Sequence, residues 1–547
     1  MQRKVYLLLL ICFLPYLGYG LNLLLNYPHA FPLDDTYIHF KIADNLLKYG
    51  TISFHKEVFV ASSTAPLFSI MLALFTFLSR SFVVSAYLIG GLSHVLFLYF
   101  SYLFLNEISK KKIVELRKSD IWLLCIILSL DWHFLWSAFS GMETSLSLAL
   151  LSIILYLEIS ENRNLHLKGI LLICLVLSRA EMILLILLLL ILRIIEAIRN
   201  KSIVLLKPYI IFLVGFIVIS FFYYFKTNSF VPATSYAKAV FYGLQPKMIF
   251  LKSVVDFFLR GNAEGDLGKK PFSIPFFLLP FYIISLFLMI KQKKSPIILI
   301  FSLLPLIISI FLYIRLPRLY HHGRYLIPYL SFFYIASFFA FRLMENEKGK
   351  SKIFFMIFLS ILLVAASIWI SGLLYFMGII AAFLCYFLFY KKEDAGLVLN
   401  GAYIITIFLL VHNLARNKDF LFNEGAWIRN NHIKTAEWVN EHIDKDAYLI
   451  CHDVGAISFM TDRFIIDITG LTAPELIPII HNHDKIWEIL TGETEESRIF
   501  FKKYRKDTIK FKADYFILFP GWYRDLLYQE RLEKLATNGE MVIFKIK

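Results

Sequence analysis

Two adjacent carboxylates, Asp34 and Asp35, follow the first hydrophobic segment in the stretch Pro-Leu-Asp-Asp-Thr-Tyr-Ile-His, residues 32–39. Neighbouring like charges repel, so a chain holds such a pair most easily where a cation, a metal or a proton-yielding group makes use of it. At a bilayer surface one carboxylate can take the proton of an attacking hydroxyl. Its neighbour can orient the acceptor, bind a cation or tune the first group's pKa. The plain alternative is a solvated loop carrying two acids.

Other polar residues stand at breaks between apolar runs. Glu143, in Ser-Gly-Met-Glu-Thr-Ser, sits near a bundle edge, where unpaired charge is costly. It serves equally well as an acid favouring the dipole of the next helix. Arg179 and Glu181 share the tight turn Ser-Arg-Ala-Glu, either as part of a site or as a self-neutralising pair. Arg315, Arg318, His321, His322 and Arg324 form a dense basic cluster. A phosphate leaving group needs compensating charge, and an arginine fork supplies two parallel donors. Attraction to anionic headgroups is the competing explanation. Arg324, following Gly323 at the start of a helix, is best placed for phosphate. Adjacent histidines point apart in a helix or strand, which argues against a two-histidine metal site. Lys226, Tyr236 and Lys238 open the largest polar loop; they fit an acceptor or sugar groove as well as an interfacial belt. His452, Asp453 and Asp467 sit beside predicted strand ends and read as turn chemistry.

The elements that must position these groups are membrane helices. Of 547 residues, 58% are hydrophobic and 18% charged, against about 45–50% and 25% in soluble domains. The net charge of +15 does not indicate nucleic acid, because the basic residues lie in short clusters between apolar segments, as topology signals do. Five cysteines without a Cys-x-x-Cys pair support neither a disulfide framework nor a zinc site.

Thirteen spans are predicted, at 5–26, 82–104, 121–138, 144–159, 168–179, 182–198, 203–225, 274–290, 296–314, 325–343, 353–370, 372–390 and 397–414; a crossing takes about 20 residues. This arrangement keeps the clusters from Arg3 and Lys4 to Lys391 and Lys392 on the inner side. It requires Thr64–Leu78 to lie on the outer surface as a helix instead of crossing. Loop 27–81, the turns at 140–144, 178–181 and 315–324, loop 226–273 and everything after 415 then face outward. The predicted division is a transmembrane module at 1–414 and a small extracytoplasmic α/β domain at 415–547. That domain has a helix at 433–443 and strands at 448–451, 464–468, 514–519 and 541–546.

Taken in order, Asp-Asp-Thr-Tyr-Ile-His-Phe-Lys-Ile-Ala-Asp-Asn-Leu (34–46), Ser-Ser-Thr-Ala-Pro-Leu (62–67), Ser-Gly-Met-Glu-Thr-Ser (140–145) and Ser-Arg-Ala-Glu (178–181) resemble motifs of the bacterial GT-C glycosyltransferases. So do Pro-Ala-Thr-Ser-Tyr-Ala-Lys (232–238), Gly-Arg-Tyr-Leu-Ile-Pro (323–328) and Asp-Val-Gly-Ala-Ile-Ser-Phe-Met-Thr-Asp-Arg (453–463). The likeness spans the chain and is closest to the branch of terminal arabinofuranosyltransferases and mannosyltransferase-like relatives. It implies a GT-C fold and an inverting sugar transfer from a polyprenyl-phosphate carrier. The acceptor would be a hydroxyl of a cell-envelope glycan, glycolipid or protein at the outer face of the bacterial cytoplasmic membrane. By the resemblance Asp34 or Asp35 is the base and Arg324 meets the carrier phosphate. Glu143, Arg179, Glu181, Tyr236, Lys238 and His322 are the other expected substrate-binding residues. Ala180 departs from the pattern, standing where relatives often carry proline. Polyprenyl phosphate is a tolerable leaving group, so no metal is demanded; a divalent cation near Asp34, Asp35 and Glu143 is left open. Two rival readings are a lipid-linked sugar flippase or transporter, which predicts broken helices and midplane charges in related halves, and a non-catalytic membrane scaffold.

Overall fold

A computed structural model describes residues 2–26, 30–160, 164–230, 232–242, 247–260, 274–316, 319, 321–345 and 347, and 406–547 apart from 408–409, 416, 418, 493 and 522–530. The spans predicted at 353–370 and 372–390, most of that at 397–414, and Arg318 lie outside the described residues. Among the described residues up to 345 the apolar runs fold into fifteen α-helices: α1 Gln2–Asn26, α2 Asp34–Tyr49, α3 Pro66–Ser79, α4 Phe82–Lys110, α5 Lys118–Leu130, α6 Trp132–Phe139, α7 Thr144–Ile159, α8 Leu165–Ser178, α9 Ile183–Asn200, α10 Lys207–Thr227, α11 Ala233–Tyr242, α12 Lys247–Arg260, α13 Ile274–Lys291, α14 Pro296–Arg315 and α15 Ile327–Glu345.

Five described stretches are long and apolar enough to cross a membrane: Tyr6–Leu25, Phe82–Lys110, Ile203–Thr227, Pro296–Ile314 and Ile327–Glu345. A sixth exists if α5 and α6, bent by 52°, count as one span. The protein is therefore a multi-pass membrane protein, with fewer full-length spans among its described residues than the thirteen predicted. The segment expected as a span at 121–138 is broken by this bend. Asp131 causes it: extended at φ −68°, ψ 123°, it accepts the His133 N–H with its side chain and so caps a new helix. The Tyr334 hydroxyl donates to its other oxygen at 2.5 Å.

Helix α3 has 14 residues, about 21 Å at 1.5 Å per residue, short of a ~30 Å hydrocarbon core. Its exposed face carries Ile70, Leu74, Phe77 and Leu78, the composition of a helix lying in an interface. Helix α15 is the axis of the bundle: every residue from Ile327 to Met344 is buried. Around it α13 packs on α15, α4 on α7 and α8 on α10.

The C-terminal sheet domain has strands β1 Tyr448–Cys451, β2 Phe464–Asp467, β3 Tyr515–Leu518, β4 Leu532–Asn538 and β5 Met541–Ile546. Their order is β2-β1-β3-β5-β4, parallel across β2-β1-β3 and antiparallel beyond. The four predicted strands are present within a residue or two; β4 was not predicted. The first polar loop is built into this domain's core. Val60 packs with Tyr448, Ile450 and Phe516 on one side of the sheet, while Ile42 and Phe54 join Leu449, Ile465 and Ile517 on the other.

Candidate active site

Asp34 and Asp35 open α2, where two acids suit the positive end of the helix dipole. Consecutive helical positions diverge by about 100°, and these two side chains part company at once. Asp34 turns toward the sheet domain. Its two oxygens accept the backbone N–H groups of Gly455 and Ala456 at 2.7 and 2.8 Å, at the start of the helix Gly455–Thr461. The approach is close enough that a Cβ at residue 455 would stand 2.0 Å from the Asp34 carbonyl oxygen. Asp35 turns the other way and accepts a 2.6 Å bond from Arg324 Nη2.

Asp35 and Arg324 share a cavity with Glu143, Arg179, Glu181 and Lys238. Six of the nine residues singled out from sequence are thus brought together. Asp34 is not among the lining residues, engaged as it is by the sheet domain. Tyr236 is 57% exposed and also lines no part of the cavity. His322 lies behind it, bonded to Glu424 at 2.7 Å and set edge-on to Trp132 and Trp136.

The position of Arg324 is set by an unusual turn. His321, His322 and Gly323 all adopt positive φ, at 48°, 55° and 71°. Left-handed backbone costs a side-chain-bearing residue roughly 1–2 kcal/mol, so the surroundings must hold the two histidines in place. The Glu424 bond and aromatic packing do this for His322. At Gly323 a Cβ would meet Phe257 at 2.6 Å.

Arg179 is tied on every side. Its Nε reaches Glu181 at 2.7 Å. Its Nη1 bonds the Thr144 hydroxyl and the Arg324 carbonyl at 3.2 Å, and lies 3.5 Å from Glu143. Arg324 is different. Only 5% exposed, it leaves Nε and Nη1 without a hydrogen-bond partner among the described residues.

Burial pushes the Asp35 carboxyl up, but Arg324 and Lys238 outweigh it and hold the group ionised, below the usual carboxylate range. Asp34 goes the other way, to about 6: burial raises it most, His432 pulls it down, Asp453 raises it, and the two backbone N–H groups lower it again. The pair that looked equivalent in sequence has two different environments.

Sequence reasoning did not single out His39, Ser62, Ser63 or Tyr325 as individual site residues, though all four line the cavity and lie within or beside the quoted motifs. His39 Nε2 stands 3.8 Å from Glu143, and the Arg179 and Arg324 guanidiniums lie over the Tyr325 ring at 5.0 and 5.2 Å. His432 and Asp453 were also missed as partners of Asp34. These three, and not Asp34, Asp35 and Glu143, are grouped closely enough to hold a metal.

A family described only as a domain of unknown function, DUF8728, matches residues 424–543. No curated protein matches by sequence. Among solved structures, ArnT from Cupriavidus metallidurans bound to undecaprenyl phosphate superposes over 100% of this chain and 98% of its own, at a TM-score of 0.54 and 12% identity. The apo form of that ArnT gives 0.52 and 11% over the same coverage. At such identity the likeness carries the fold. The chain has the fold of ArnT, with a small C-terminal sheet domain.

Proposed function

We propose that this protein moves a sugar from a polyprenyl-phosphate carrier to an acceptor hydroxyl, with inversion, at the outer face of the bacterial cytoplasmic membrane. The observation that carries this reading is Arg324. A buried donor left unmade costs about 1–3 kcal/mol, and Arg324 has two such donors at a cavity it shares with an ionised carboxylate. A phosphate oxygen would satisfy them. The undecaprenyl phosphate bound to ArnT supports a polyprenyl phosphate as its source.

The mechanism is an exchange of partners. Without donor, Arg324 neutralises Asp35. An arriving phosphate competes for the guanidinium, and Asp35 becomes more basic as its share of positive charge falls. Asp35 then accepts the acceptor's proton as that oxygen attacks the anomeric carbon. The carbon–oxygen bond to phosphate breaks on the opposite side, and the phosphate keeps the electron pair, its charge held by Arg324 and Lys238. Asp34 keeps the start of α2 fixed and takes no proton from substrate. Residues 1–414 would be the transmembrane module, and 415–547 would face the acceptor glycan, lipid or protein.

The test is transfer in membranes supplied with radiolabelled polyprenyl-phosphate sugars. Asp35→Asn should cut transfer by about 10²–10⁴ and Asp34→Asn should weaken it less. Undiminished transfer by Asp35→Asn removes the base assignment. Carrier movement without transfer from any donor would put a transporter in its place.

A further inference from the structure

We infer that Asp34, His432 and Asp453 form a divalent-cation site at the seam between α2 and the C-terminal sheet domain. One ligand atom from each residue lies within 4.8 Å of the others, and His432 Nε2 is 3.1 Å from Asp453 Oδ2. Ligand atoms bound about 2.1 Å from a metal stand roughly 3–4 Å apart, so small movements close the site.

The two sides of the seam supply different ligands. Asp34 comes from the first turn of α2. His432 belongs to the π-helical turn Arg429–Ile433, whose irregular hydrogen bonding often marks functional positions. Asp453 follows β1 in the loop before the helix Gly455–Thr461. Each Asp34 oxygen accepts one backbone N–H and keeps a second lone pair, since an ionised carboxylate offers about four acceptor positions. Those N–H bonds aim the carboxylate as outer-shell partners aim metal ligands. Asp453 is 26% exposed, which gives a cation a way in.

A second observation points to the same place. The His432 side chain is fully buried, and the ring nitrogen it turns to Asp453, Nε2, is aimed into the cluster. Imidazole with carboxylates suits zinc, manganese or ferrous iron; the absence of thiolates argues against softer ions. Such an ion would not touch the sugar. It would position α2, and with it Asp35 on the opposite side of the same turn.

The competing arrangement is a protonated His432 bridging the two acids, with no metal. Full-length protein in detergent, stripped with EDTA, would be incubated with Zn2+, Mn2+ or Co2+ alone, desalted and assayed for metal by mass spectrometry. The expected result is stoichiometric retention by wild type, a visible cobalt spectrum showing nitrogen ligation, and affinity lower by roughly tenfold or more in His432→Gln and Asp453→Asn. Size-exclusion profiles control for folding, and the wild-type cobalt spectrum decides even if a variant fails to fold. Wild type that retains no metal, or variants that retain as much as wild type, overturns the proposal. Because the readout is metal content, the outcome is separate from whether the chain transfers sugar.

Discussion

At one end of α7, Glu158 is enclosed by Lys168 at 2.5 Å, Arg193 at 2.6 Å and the Tyr209 hydroxyl at 2.6 Å, with none of its side chain exposed. At the other end, about 22 Å along the axis, Glu143 meets Arg179 in the cavity that holds Asp35 and Arg324. Both clusters bury charge beside apolar helices. In the first, both Glu158 oxygens are bonded. In the second, Glu143 Oε2 and two Arg324 nitrogens have no hydrogen-bond partner among the described residues. Burial of charge thus marks nothing by itself in this fold; open hydrogen-bonding capacity does. The first cluster holds α7, α8, α9 and α10 together, and the second is arranged to receive something.

The sharpest way to break that contrast is at Asp35. Asp35→Asn should cut sugar transfer per folded molecule by about 10²–10⁴. A large fall in melting temperature without loss of turnover per folded molecule would make the two clusters alike. Next comes Glu158→Gln, which strips buried Lys168 of its ion-pair partner and leaves Arg193 only Glu196, and should destabilise by about 3–5 kcal/mol. Thermal or denaturant unfolding in detergent measures this, and activity per folded molecule should hold.

Gly455→Ala asks how far the seam supports the cavity. The added carbon forces α2 and the helix Gly455–Thr461 apart, at a cost of about 1–3 kcal/mol. Both faster proteolysis of the sheet domain and a partial loss of transfer are expected. An unaltered digestion pattern would mean that the seam gives way freely.

The smallest effect is a pH dependence. His55, buried in the same seam with its Nε2 at the Thr472 carbonyl, is held neutral. Burial lowers its pKa from 6.5 to about 4, the Thr472 carbonyl and Glu475 oppose, and Lys41 adds to the lowering. The unfolded chain therefore binds the proton first, so this contribution to stability is present above about pH 6.5 and is lost as pH falls toward 4. His55→Asn should flatten that stretch of the stability–pH curve, measured by melting between pH 4 and 7.

Much of the site was legible because its charged members interrupt hydrophobic runs, where a charge without purpose is costly. Glu143, Arg179, Lys238 and Arg324 were each visible in that way. That they meet was legible only through the order of the motifs, since Asp35 and Arg324 are 289 positions apart. The division of labour between Asp34 and Asp35 was hidden by reading residues 27–81 as loop; a helix starting at Asp34 would have sent the two acids different ways. His432 gave no local signal, because its partners come from the far end of the chain and from a strand end. Strand β4 was missed for a different reason. Its sequence, Leu-Glu-Lys-Leu-Ala-Thr-Asn, is mostly half-buried or exposed, so it offers no apolar run, and pairing with β5 supplies what its side chains do not.

The grip of two backbone amides on Asp34 bears on how such chains can be recombined. A carboxylate at the threshold of the membrane module is seated by main-chain atoms more than 400 positions later. Grafting a foreign tail onto this bundle would therefore succeed only where the graft brings a glycine-led helix to the same spot.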